Sequence, residues 1–328
     1  MSSRNLAILV SAALLIRHGA VRAHDPAPTA VVSSTAAPSV GNARSSEPLV
    51  FVVYGDMRFT SEQERVASNP GARRALVDRV AGEHPQALIL TGDVAWHGGD
   101  PADYEVFRTE TAPWRSEQLR VYPVLGNHEF QRCAEAKCLE NWWRAFPEVR
   151  GRRWYSVALD NRVQLIALDS DASLLSGSVQ RRWLEQTLAA LPAQVRFVLI
   201  AIHHPPVADE SWWVVRANES TLETLLRSIA PRSAARFVVC AAHVHNYERF
   251  ERNGVLYVVS GGGGAKPLSV VRNLEDRYHG SFPNYHYLRF ELRGTHLQGE
   301  AIRLSDYASP RPHVFTIVDR FVVDAKAP

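Results

Sequence analysis

The chain has 328 residues, of which 46% are hydrophobic and 22% charged, an ordinary globular composition sized for one large domain or two small ones. Its formal charge of +3 matches the three arginines among residues 1–23, so the rest of the chain is formally neutral. No basic tail or stripe suggests a nucleic acid partner.

In chain order, Arg4 precedes an apolar run from Leu6 to Ile16, and Val21-Arg22-Ala23 resembles a small-residue cleavage site. Residues 1–23 therefore read as a secretory signal peptide, too short for a comfortable membrane span, with an uncleaved N-terminal anchor as the alternative. Residues 24–48, rich in Ala, Pro and Ser, read as a flexible linker, and 49–328 as the folded domain. Leu49–Tyr54, Ala87–Leu90, Val121–Leu125, Phe197–Ile202 and Phe237–Cys240 are continuous apolar runs bounded by Gly or Pro, which suits strands buried on both faces. Helical patterns cover Ala72–Ala81 and Gln180–Leu191; in the second, Leu184, Leu188 and Leu191 share a face interrupted by Thr187. Strands alternating with helices predict an α/β domain whose ligands lie beyond the strand carboxyl ends. Leu256–Val259, Tyr287–Leu292 and Val314–Val323 are strand-like and expected to complete a second sheet packed on the first.

An exported chain would meet an oxidising compartment. Cys133 and Cys138, five apart in a polar stretch, then read as a local disulfide, and Cys240, ending an apolar run, as a buried free thiol.

Five polar segments follow apolar runs: G-D-M-R (55–58), T-G-D-V-A-W-H-G (91–98), L-G-N-H-E (125–129), I-H-H-P-P (202–206) and A-A-H-V-H-N-Y-E-R (241–249). Each alone is explained by turn chemistry. Together, Asp56, Asp93, Asn127, His203, His243 and His245 form a mixed oxygen and nitrogen set able to hold two ions about 3.5 Å apart, with one carboxylate bridging. Such a pair polarises a phosphoryl group and activates a water, and His128 is placed to protonate the leaving group.

The series resembles the calcineurin-like metallophosphoesterase superfamily over residues 49 to about 265, and His243-Val244-His245-Asn246-Tyr247-Glu248-Arg249 is especially similar to its purple acid phosphatase branch. The resemblance implies a four-layer α/β/β/α sandwich of two mixed sheets flanked by helices, with a dinuclear centre of Fe, Zn or Mn at the sheet edge. By motif match, Asp56 and His245 would bind metal 1, Asp93 would bridge, and Asn127, His203 and His243 would bind metal 2. His128 would be the acid or transition-state contact. His204 would face substrate or merely pack.

The chain departs from the pattern at metal 1. Arg58 stands where most of the superfamily has a ligating His, and Trp96 where the purple branch has a ligating Tyr. Neither side chain can ligate a cation. The neighbouring His97 could be recruited, water could fill the shell, or one ion could suffice. Arg58 could instead grip a phosphate oxygen or form a structural salt bridge, for example to Asp100 or Glu129.

Other features read more plainly. Gly261–Gly264 lacks the Lys-Ser/Thr ending of a nucleotide P-loop and suggests a tight turn near the site, with Lys266 a weaker substrate candidate. Trp142-Trp143 and Trp212-Trp213 are expected in loop-like regions, packing or rimming a pocket. The Asn218-Glu219-Ser220 glycosylation triplet reads as a chance match.

The expectation is an exported, secreted or periplasmic, phosphoesterase that hydrolyses small phosphate monoesters through a metal-bound hydroxide. A phosphodiesterase or nucleotide-cleaving hydrolase is the runner-up. A catalytically weak metal-dependent binding protein is the rival from another class.

Overall fold

A computed structural model describes residues 48–209, 215–280, 285–306 and 312–327. Residues 1–23, read above as a signal peptide, residues 24–47 of the expected linker and the Trp212-Trp213 pair lie outside the described residues.

The apolar runs form strands close to where their composition places them: β1 (Leu49–Tyr54), β2 (Ala87–Leu90), β3 (Val121–Pro123). Next come β4 (Tyr155–Ala158), β5 (Val163–Ala167), β6 (Phe197–Ala201) and β7 (Arg236–Ala241). The last five are β8 (Tyr247–Arg252), β9 (Val255–Ser260), β10 (Tyr285–Arg293), β11 (His296–Leu304) and β12 (Phe315–Asp324). They build two mixed sheets, ordered β12-β11-β10-β1-β2-β3 and β4-β5-β6-β7-β9-β8. In each sheet a parallel set, β1 to β3 or β5-β6-β7-β9, adjoins antiparallel strands.

The C-terminal strands differ from expectation. β9 does join the second sheet, but β10 pairs antiparallel with β1 (Leu49 opposite Leu292, Val53 opposite Leu288), so β10–β12 widen the first sheet. β1 is almost wholly buried, and its backbone groups on the side away from β2 need a partner. Alternation in a strand tells which face is apolar, not which edge it will seal.

The period of two divides the second sheet's side chains between two cores. Phe197, Leu199 and Ala201 of β6, with Val238 and Cys240 of β7, pack in the cluster that also contains the first sheet. Val198 and Ile200 of β6, with Phe237, Val239 and Ala241 of β7, face the opposite way. There they meet Leu184 and Leu188 of α5 (Val179–Ala189) and Leu222 and Leu226 of α6 (Ala217–Ile229). Thr187 is tolerated within the α5 stripe because its hydroxyl donates to Trp183 O at 2.9 Å. On the first sheet, α1 (Pro70–Ala81) packs against β10 and β11, its entry fixed by Pro70 and by Asn69 capping the amides of Gly71 and Ala72. The result is the four-layer α/β sandwich, with α2 (Pro101–Glu110), α3 (Ala112–Ser116) and α4 (Glu135–Ala145) filling the β2–β4 crossing.

Several smaller readings resolve. Cys133 and Cys138 are disulfide-bonded, and Cys240 is buried and free. Trp142 and Trp143 sit on α4 rather than in a loop, with Trp142 fully buried and the Trp143 indole donating to Arg152 O. The Asn218 side chain is an internal anchor: it donates to Ser170 O and Ala172 O and accepts from Leu174 N.

Candidate metal centre

Both parallel sets end at the same edge of the sandwich. Asp56 follows β1, Asp93 follows β2, Asn127 and His128 follow β3, His203 follows β6, and His243 and His245 follow β7. The sheets are stitched together there: Gly55 N donates to Ser260 O, Gly263 N to Gly55 O, and Ala265 N to Asp56 O. The glycine run after β9 permits this approach, since a Cβ on Gly261 would stand 2.5 Å from Asp56 Oδ2 and 2.2 Å from Val244 O. Asp56, Arg58, Asp93 and His243 all have positive φ (60°, 49°, 52° and 67°), the sharp turns that throw side chains across a strand end.

Four donor atoms crowd together. Asn127 Oδ1 lies 3.1 Å from His203 Nε2 and 3.1 Å from His243 Nδ1. The two ring nitrogens are 3.3 Å apart, and Asp93 Oδ1 is 3.3 Å from His203 Nε2. His203 Nδ1–H donates to Thr91 O at 2.9 Å, so in the neutral ring Nε2 is a lone pair facing the Asn127 oxygen, an arrangement a cation relieves. Ligands about 2.1 Å from one ion stand about 3.0–3.4 Å from each other, so these spacings fit a transition-metal position. A second set, Asp56, Asp93 and His203, offers ligand atoms within 4.8 Å of one another, as do His203, His204 and His243. Asp56 Oδ1 and His245 Nε2, both buried, are 3.6 Å apart and have no hydrogen-bond partner among the described residues. They too suit a metal.

Backbone carbonyls set the imidazole tautomers. His245 Nδ1–H donates to Lys266 O at 2.7 Å and His128 Nδ1–H to Trp96 O at 2.7 Å, leaving each Nε2 as the free donor atom. Lys266 thus serves the site through its carbonyl. Burial pushes His243 down to about 2 and His128 to about 4, and burial with the Arg58 charge pushes His245 to about 3, so these rings are neutral, as ligands must be. His204 is buried too, held by Ser170 Oγ at 2.8 Å, its ring centroid 4.0 Å from that of His243 and tilted 37° to it; burial lowers it well below the ordinary value.

The two aspartates are split. Burial raises Asp93, but the charges of His203 and His128 when protonated, the Arg58 guanidinium and the His128 amide outweigh it and hold the carboxyl well below its usual range. Asp56, raised by burial and then by the Asp93 charge, goes the other way. Arg58 Nη2 and Nε meet Asp93 Oδ2 at 3.0 and 3.3 Å, so its carboxylate partner is Asp93, not Asp100 or Glu129. Those two are otherwise engaged: Asp100 caps α2 by accepting from Ala102 N, and Glu129 is saturated by backbone amides. Trp96 stacks on His128 with centroids 4.6 Å apart, and the Arg58 guanidinium lies 5.2 Å over the Trp96 ring. His97 is turned to Asp103 (3.6 Å) and stands in neither donor group.

All nine predicted site residues meet here while His97 does not, and Glu129, expected at most as a partner of Arg58, is an organiser of the site. Glu129 Oε2 accepts from Asp93 N (2.9 Å) and Gly126 N (2.7 Å), and Oε1 from Val94 N (2.8 Å) and Ala95 N (3.2 Å). One buried carboxylate therefore ties the Asp93 turn to the Asn127 turn. Burial and the Asp93 charge push it up to about 8, against the pull of its four donors. The acidic residue after Asn127-His128 was visible in sequence, but nothing there showed which amides it would reach. Glu129→Gln turns an NH2 toward amide donors and strands part of the network, so the unfolding free energy measured by urea denaturation should fall by at least about 2 kcal/mol. An unchanged midpoint would refute this role.

Comparison with known proteins agrees with this geometry. Residues 49–247 match the family described as calcineurin-like phosphoesterase. A 3',5'-cyclic-nucleotide phosphodiesterase of Nostoc sp. is 30% identical over 177 residues, covering 53% of this chain and 60% of that protein. Probable purple acid phosphatase 20 of Arabidopsis thaliana is 27% identical over 254 residues, covering 71% of this chain and 55% of that one. The chain thus spans little more than half the length of these two relatives. The solved purple acid phosphatase of yellow lupin shares the fold with a TM-score of 0.65 at 16% identity, covering 85% of this chain and 54% of that one. With the family match spanning more than half of its residues and both sheets in place, the chain belongs to the calcineurin-like phosphoesterases.

Proposed function

We propose that the chain is a metal-dependent hydrolase of small phosphate monoesters. The observation that carries the reading is the convergence of Asp93 Oδ1, Asn127 Oδ1, His203 Nε2 and His243 Nδ1 with neighbouring separations of 3.1–3.3 Å, the spacing of ligand atoms around one ion. Fe, Zn or Mn suits this mixture of oxygen and imidazole ligands. When bound, the metal supplies Lewis acidity toward a phosphoryl oxygen and acidifies a coordinated water. The chain's own residues do the rest. Asp93, held ionised, orients the centre; His128 presents Nε2, 3.7 Å from Asp93 Oδ2, where it can meet a phosphoryl or leaving-group oxygen. Arg58 and His204 are the proposed substrate contacts, Arg58 offering its remaining N–H donors to a phosphate oxygen.

A diesterase reading is favoured by the cyclic-nucleotide phosphodiesterase relative and shares every residue above. A binding protein without turnover would have no need of His128 beside a complete donor set. Turnover of p-nitrophenyl phosphate and of bis(p-nitrophenyl) phosphate separates the three. The monoester should be the faster, should need metal, and should lose at least about 100-fold in kcat/KM in Asp93→Asn, about 2.7 kcal/mol of transition-state stabilisation. Diester preference moves the chain to the second reading, and no turnover with any ion to the third.

Trp96 replaces the position from which a tyrosinate would colour an iron centre, so the iron-loaded protein should show no visible charge-transfer band between about 500 and 600 nm; such a band would contradict the ligand assignment. Export is part of the proposal, supported by the Cys133–Cys138 disulfide and the apolar segment after Arg4. Protein recovered from the periplasm or medium of expressing bacteria should begin after Ala23 by mass spectrometry. Recovery from the cytosol alone, with residues 1–23 intact, would remove that part.

A further inference from the structure

Arg58 is placed more firmly than a substrate-gripping side chain requires. Its amide donates to Asp93 O at 2.9 Å, and its carbonyl accepts from Ser68 Oγ and Arg73 Nη1, both at 3.1 Å. Arg73 is itself fully buried and locked by two bonds to Glu110. On the next residue Phe59 N donates to Val94 O, and Trp96 N to Phe59 O. The segment carrying Arg58 is thus laced to the segment carrying Asp93 and Trp96. The side chain, 13% exposed, has Trp96 against it at 5.2 Å and ends on Asp93 Oδ2.

The two oxygens of Asp93 therefore face different company. Oδ1 belongs with His203, Asn127 and His243, where the donor spacings fit an ion. Oδ2 is the oxygen left for an ion shared with Asp56 and His245, and it already carries a fixed guanidinium at 3.0 Å. An ion about 2.1 Å from that oxygen would lie within about 5 Å of Arg58 Nη2, two positive centres side by side in a buried site. Asp56 Oδ1 and His245 Nε2 remain as donors, so a second position exists in outline but is opposed by charge.

Resting on the metal-centre reading above, we propose that this chain retains one metal ion, at Asp93 Oδ1, Asn127, His203 and His243, and that the Arg58 guanidinium is the built-in second cation, excluding a second ion from the Asp56–His245 side. The guanidinium supplies positive charge beside the phosphoryl group without ligation, and unlike an ion it cannot dissociate.

Metal content tests this without any assay of turnover. Wild type, Arg58→His and Arg58→Ala are purified, loaded with excess Zn2+, dialysed exhaustively and counted by inductively coupled plasma mass spectrometry. Calorimetric Zn2+ titrations of the metal-free proteins run in parallel, and thermal melts verify that each variant is folded. Wild type should retain one ion per chain. Arg58→His, which exchanges the charge for an imidazole at a backbone position (φ 49°) that histidine tolerates, should retain two. Arg58→Ala, which removes the guanidinium and adds no ligand, should bind a second ion at least tenfold more tightly than wild type. Two ions in wild type, none in wild type, or no gain of a second site in either folded variant would overturn the proposal. Because the readout is stoichiometry, one retained ion with no phosphatase turnover would sink the functional reading and leave this inference standing.

Discussion

The arrangement at the strand ends depends on keeping one fully buried carboxylate, Asp93, charged. Burial alone would protonate it. It stays ionised because Arg58 closes on Oδ2 at 3.0 Å and the His128 amide donates to Oδ1 at 3.0 Å, with His203 and His128 adding to this whenever their rings carry a proton. Its neighbour Asp56 bears the cost, being driven toward the protonated state by burial and by that same charge. Two carboxyl groups of one type thus acquire opposite tendencies from their surroundings.

The fold makes this possible through backbone more than side chain. Glu129 gathers four amides from two strand-end turns, and Thr91, Trp96 and Lys266 each lend a carbonyl that chooses an imidazole tautomer. Such partners are rigid because the turns bearing them are continuous with buried strands. The strand ends therefore present donor atoms with little freedom left to lose on binding a cation.

Much of this was legible in the residues. Runs such as Leu49–Tyr54 and Ala87–Leu90 are uniformly apolar, as suits strands buried on both faces, and the polar groups following them are expected beyond the strand carboxyl ends. What stayed hidden was pairing between distant elements. β10 seals β1 rather than a strand of the second sheet, Trp142-Trp143 lie on a helix, and Arg58 meets Asp93 instead of Asp100 or Glu129. A side chain's partner depends on which turns face each other in space, and no local spacing encodes that. Glu129 was read only as a possible partner for Arg58, since an acidic residue beside Asn127-His128 looks the same whether it binds an arginine or a ring of amides.

The substitutions at residues 58 and 96 are best understood as one exchange. Arg58 and Trp96 stack on each other, Trp96 stacks on His128, and Arg58 pairs with Asp93, so the two non-ligating residues form a single wall at the two positions from which relatives supply either a His or a Tyr ligand. The wall trades an exchangeable cation for a covalently attached one. The most direct measurement is anomalous diffraction at the zinc edge from crystals of the Zn2+-loaded protein. The account predicts one strong peak, within about 2.3 Å of Asp93 Oδ1, Asn127 Oδ1, His203 Nε2 and His243 Nδ1, with Arg58 still on Asp93 Oδ2. Two comparable peaks bridged by Asp93, with the guanidinium displaced, would contradict it.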